Sequence, residues 1–180
     1  MRSVLLLITI LAFTSCDTML SAYYNVNQQE TFTSAKAYID AASKETGLDA
    51  GKIVILEQDA FDSMRSDIVK DGLSTFYGIA YKSDIISGNE LNIKSCQGQI
   101  INLYRAIPDK SAAFSKLDLS SFNYLEGLQF DPEKKTIIIL YSYKLGGLTK
   151  AKILPVISEL QDDPDFDYYV ISLDNPDISK

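Results

Sequence analysis

The sequence predicts an α/β protein in which a mixed sheet is sandwiched between helices in three layers. Three observations carry that expectation. The stretch "TIIILY" is apolar from Ile137 to Tyr141 without alternation, as expected of a central strand covered on both faces. It leads through "KLGG" into "LTKAKILPVISEL", where Ile153, Val156, Ile157 and Leu160 form one apolar stripe, and then into the strand "DYYVISL". Such a strand–helix–strand unit closes as a parallel crossover, whereas the aromatic, β-rich run at 74–82 followed by a polar turn reads as a hairpin.

Each element can be justified in chain order. From Ser34 to Glu45, the residues Ala35, Tyr38, Ile39 and Ala42 share one helical face, with Thr33 or Ser34 as N-cap and Gly47 just past the end. "KIVIL", 52–56, is a short β-branched strand. Asp59 is expected to cap a helix that places Phe61, Met64 and Ile68 on one face and stops at Gly72. Residues 74–82 form a strand, "SGNE" turns the chain, and 90–95 return. Ile100, Leu103, Tyr104 and Ile107 predict a helix over 97–107, stopped by Pro108. Residues 109–134 are mixed, with a short helix near 110–116 and irregular chain after it. The last unit is strand 135–142, helix 149–162 and strand 167–173.

Composition narrows the chemistry. Of 180 residues, 46% are apolar and 23% charged, enough to bury a core without disulfides or metals. There is no histidine, which removes the commonest acid/base group at neutral pH, the Ser-His and Cys-His nucleophile pairs and most zinc sites. The formal charge of −7 is spread along the chain and repels phosphate backbones, so nucleic acid is not an expected partner. "DDPDFD" at 162–167 lacks the glycine and terminal glutamate of a calcium loop and reads as a solvated turn. Neither a metal nor another cofactor is expected.

The first segment, "MRSVLLLITILAFTSC", has one basic residue, Arg2, an apolar run from Val4 to Phe13, and then small polar residues. That run is too short to span a bilayer as a helix and has the layout of a secretory signal. "FTSC" resembles the lipobox of bacterial lipoproteins, with Phe13 where leucine is commoner. The resemblance implies cleavage before Cys16, two acyl chains on its sulfur and a third on its amino group. Several chains on one residue hold a protein stably on a membrane. The expected organisation is a signal peptide at 1–15, a lipidated tether at 16–32 and a single domain at 33–180. Cleavage removes Arg2 and no acidic residue, so the mature chain is one unit more negative. Asp17 resembles an inner-membrane retention signal of enteric bacteria, and "DTMLS" lacks the acidic cluster of a surface-export tag, so the domain is expected to face the periplasm.

The C-terminal unit resembles the central βαβ of the thioredoxin superfamily. The likeness rests on the strand ending in Tyr141 and Tyr143, the Gly146-Gly147 turn, Pro155 inside the helix and "YYVISLDNPD" after it. A helix-interior proline removes a hydrogen bond and costs about 3 kcal/mol, so it normally kinks the helix, and thioredoxins carry such a kink there. Their two cysteines would align with Gly147 and Lys150. A thioredoxin then continues into a hairpin and a last helix, which here resemble residues 74–107. The resemblance therefore implies a permuted thioredoxin-like α/β/α sandwich without the CxxC motif.

Two further sites are candidates. Cys96 is the one thiol besides Cys16, and a helix beginning at 97 would favour its thiolate; a small buried residue or a cap is the simpler reading, since no second cysteine is there to resolve a disulfide. Gly146, Gly147, Thr149 as N-cap and Lys150 form a glycine turn at a helix start that could hold an anion or simply turn the chain. The leading expectation is a membrane-anchored envelope lipoprotein that is not an enzyme, whose redox-inactive domain binds or scaffolds an envelope protein. Two readings stay open beside it. One is a single-cysteine thiol-dependent or peroxide-handling protein using Cys96. The other is an inhibitor or immunity lipoprotein that grips a partner through Tyr23, Tyr24, Tyr141, Tyr143, Tyr168 and Tyr169.

Overall fold

The computed structural model describes residues 31–71, 76–87, 97–107, 117–174 and 178. Helix α1, Ala35–Thr46, begins where Ser34 Oγ accepts a hydrogen bond from the Ala37 N–H at 3.2 Å. It ends at Gly47, whose φ of 76° lies in the left-handed region that glycine adopts without strain. Strand β1 is only Ile53–Val54, because Ala50–Lys52 wind into a 3-10 turn capped by Asp49. Helix α2, Gln58–Asp71, starts one residue before Asp59, so Asp59 sits in its first turn and does not cap it. Its Phe61, Met64 and Ile68 are buried, as their spacing predicts.

Strands β2, Phe76–Tyr81, and β3, Asp84–Ser87, form a hairpin with Tyr81 opposite Asp84. The hairpin turn thus falls at Lys82 and Ser83, at the end of the stretch expected as strand, while the expected turn at "SGNE" lies, after Ser87, outside the described residues. Lys82 takes φ 57°, a conformation usually supplied by glycine or asparagine, so its side chain gives no turn signal. The expected return strand at 90–95 and the short helix near 110–116 lie outside the described residues. Helix α3, Gln97–Ala106, agrees with its predicted stripe, and a two-residue strand β4, Leu117–Asp118, precedes two 3-10 turns at Leu119–Ser121 and Asn123–Leu125. Strand β5, Lys135–Tyr141, helix α4, Gly147–Leu160, and strand β6, Phe166–Ser172, complete the described elements. Helix α4 starts earlier than expected and runs on through Pro155.

The six described strands form one mixed sheet in the order β1-β6-β5-β2-β3-β4. β1, β6 and β5 are parallel, and β2, β3 and β4 alternate away from β5 in antiparallel pairs. All seven residues of β5 are buried, which is why its sequence does not alternate. One face, with Ile79, Ile137, Ile139 and Val170, packs against α1, α3 and α4. The other, with Tyr77, Ile138, Leu140 and Ile171, packs against α2 and the turns around Tyr124 and Leu125. Helices on both faces make the arrangement compatible with a three-layer α/β/α sandwich.

Two details fix the sheet. A bulge between Phe76 and Gly78 sends Tyr77 to the second face while Phe76 and Ile79 stay on the first. At Gly78 a Cβ would stand 2.7 Å from the Ile86 carbonyl oxygen, so only glycine fits. At the start of β5, buried Lys135 places its ammonium 3.9 Å from the centroid of the Tyr104 ring, an attraction that offsets part of its desolvation. Among the described residues no helix is long and apolar enough to cross a membrane.

Candidate functional site

The parallel strands β5 and β6 end side by side, and the chain leaves both at the same edge of the sheet. After Tyr141 it makes a 3-10 turn at Tyr143–Leu145 and reaches Gly146, with φ 53° and ψ −138°, before entering α4. That backbone conformation strains any side chain bearing a Cβ, which accounts for glycine there. From β6 the chain runs through Leu173, whose N–H donates to the Tyr141 carbonyl at 2.8 Å, to Asp174. In open α/β sheets the crevice beyond the carboxyl ends of the strands is where ligands bind.

Here the first polar side chain past β6 on that side, Asp174, is buried. Asp174 is 4% exposed and accepts three hydrogen bonds: from Ser142 Oγ at 2.7 Å, the Tyr143 N–H at 2.6 Å and Tyr38 Oη at 3.0 Å. Its own N–H donates to Ser172 Oγ at 3.0 Å. Three donors on one buried carboxylate replace the water it has lost. Burial, and next the Asp174 charge, push the Tyr38 hydroxyl far above its ordinary value, so it stays a donor at any neutral pH. Phe32 covers the cluster, with ring centroids 5.1 Å from both Tyr38 and Tyr143 in edge-to-face contacts.

A second set of bonds ties α1 to the start of α4. Lys150 Nζ donates to the Glu45 carbonyl oxygen at 2.6 Å, and Tyr141 Oη donates to the Glu45 carboxylate at 3.1 Å. A cation on the last turn of α1 satisfies a carbonyl that the helix leaves unpaired. Burial first, and then the Glu45 charge, raise the Tyr141 hydroxyl as well. Thr149 is corrected from N-cap to a first-turn residue; it is 1% exposed, and its Oγ1 donates to Ser142 O at 3.1 Å and Gly146 O at 3.2 Å.

Gly146, Gly147, Thr149 and Lys150 therefore do come together, and the Lys150 side chain reaches the last turn of α1. Asp174, Tyr38 and Glu45 escaped sequence reasoning. The signal for Asp174 was an aspartate directly after a buried strand, in "VISLD". Cys16 and Cys96 lie outside the described residues, as do Tyr23 and Tyr24. Of the other paired tyrosines, Tyr141 is buried, while Tyr168 stacks on Phe166 and Tyr169 packs edge-on to Phe130.

Comparison with protein-family models, with curated proteins and with solved structures finds no match to this chain. Function must therefore be argued from the site itself. A general acid or base has to reach a substrate, and Asp174 is enclosed by its own donors. Among the described residues no group of three or more acidic or thiol side chains is placed to hold a metal ion. The chemistry on view is that of a latch: it fixes α1, the turn at 142–147 and the end of β6 relative to one another.

Proposed function

We propose that this chain is a lipid-anchored protein of the bacterial cell envelope whose thioredoxin-like domain has no redox chemistry and serves to bind or scaffold another envelope protein. The observation that carries the reading is the first turn of α4. There the thioredoxin resemblance would put two cysteines, and the chain has Gly147 and a Lys150 whose amine is spent on the Glu45 carbonyl. A disulfide exchange through a paired dithiol needs both thiols in that turn.

The sheet supports the permuted form of the resemblance. Hairpin β2–β3 lies antiparallel beside β5, and α3 and α4 share one face and one core. A hairpin and helix placed early in the chain thus rejoin the βαβ unit in space. The anchor rests on "LAFTSC" after a short apolar run. Cells fed radiolabelled palmitate should label the parent protein and leave Cys16→Ala unlabelled. Label retained by Cys16→Ala would remove the anchor from this reading.

A further inference from the structure

On the second face of the sheet, away from the latch, an open groove of about 320 Å³ runs between the hairpin turn and the segment after β4. Leu119, Leu125, Leu128 and Phe130 give it apolar walls, and Asp118 and Glu126 stand exposed at its rim. Among the described residues no lysine or arginine lines it. The nearest cation in sequence, Lys82, is turned towards the Tyr81 ring, 5.2 Å from its centroid. Asp118 is held in place, its Oδ1 accepting from the Ser120 N–H at 2.9 Å and Ser120 Oγ at 2.8 Å. Among the described residues neither Asp118 nor Glu126 makes an ion pair.

An apolar trough flanked by two exposed carboxylates complements one kind of occupant, an apolar side chain with a cation beside it. The chain's formal charge of −7 would also steer such a partner inward. Sites for small molecules enclose most of the ligand's surface, whereas this groove is open to solvent. It also adjoins β4, the terminal strand of the sheet, the kind of edge along which extended peptides dock. We infer that the groove binds a peptide segment of a partner protein that carries leucine-like side chains flanked by lysine or arginine. The biological sense of this rests on the binding-module reading, but its test does not depend on lipidation or on redox assays.

The test uses the full chain in detergent and a fluorescein-labelled hexapeptide of leucine and lysine, followed by anisotropy. Leucine–serine and leucine–glutamate hexapeptides serve as controls. Saturable binding of the leucine–lysine peptide alone is expected, weakening with added salt and by about tenfold in Glu126→Lys. Leu128→Ser should weaken it while leaving the salt dependence intact. Asp162→Lys makes the same charge change at an exposed site outside the groove and should bind like the parent. Equal loss in Asp162→Lys and Glu126→Lys would reduce the effect to net charge and overturn the inference. So would equal binding of the acidic peptide, or full competition by isoamylamine at the peptide's own affinity, which would make the occupant a small cation.

Discussion

At the scale of single residues, tyrosine hydroxyls carry the electrostatics that the missing histidines cannot. Burial raises Tyr38, Tyr104, Tyr124, Tyr141 and Tyr168 above their ordinary value, with neighbouring carboxylates adding to the shift at each. Such hydroxyls hold their protons more tightly in the folded chain than in the unfolded one. Their contribution to stability is fully present below the unfolded value, near 10, and is lost as pH rises above it. Urea unfolding should therefore show stability falling between pH ~10 and ~11, with a shallower fall in Tyr38→Phe, which has no proton to lose at Asp174. A Tyr38→Phe profile parallel to that of the parent would contradict the assignment. None of this was legible in the sequence. The strand tyrosines offered themselves only as a grip on a partner, and the carboxylates that meet Tyr38 and Tyr141, Asp174 and Glu45, come from distant parts of the chain.

At the scale of elements, legibility followed local chemistry. Helix α1 was readable to within a residue at each end because Ser34 and Gly47 are its physical start and stop. Strand β5 was readable because a strand buried on both faces has to be apolar throughout. The hairpin turn was not, since Lys82 is held left-handed by the pairing of β2 with β3 and not by its own preference. The start of α4 was missed for a similar reason: Gly146 makes no side-chain cap, and the hydroxyl of Thr149 turns back to Ser142 and Gly146. These assignments have energetic consequences. Ile139, 4% exposed in the middle of β5, should lose about 3 kcal/mol on truncation to alanine. Lys150→Met keeps the aliphatic stem but strands the Glu45 carbonyl, and should cost about 1 kcal/mol. Urea melts of the two variants check both values. A neutral Lys150→Met would mean that the bond between α1 and α4 contributes nothing, and a loss below about 1 kcal/mol at Ile139 would break the account of β5.

At the scale of the whole molecule, the order β1-β6-β5-β2-β3-β4 sets a parallel half beside an antiparallel half, with β5 at the seam. The α/β class and the mixed sheet were legible because apolar runs and helical stripes are local patterns. The pairing of β2 with β5, across more than fifty residues of chain, leaves no local trace; only the family resemblance pointed to it. We propose that this seam keeps a thioredoxin-like frame and uses it without the two thiols that such a frame would hold. Insulin disulfide reduction by the full chain, with dithiothreitol as electron donor, tests that claim most directly. The account predicts turnover equal to that of dithiothreitol alone, for the parent and for Cys96→Ala alike. Turnover above that background, abolished by Cys96→Ala, would contradict it.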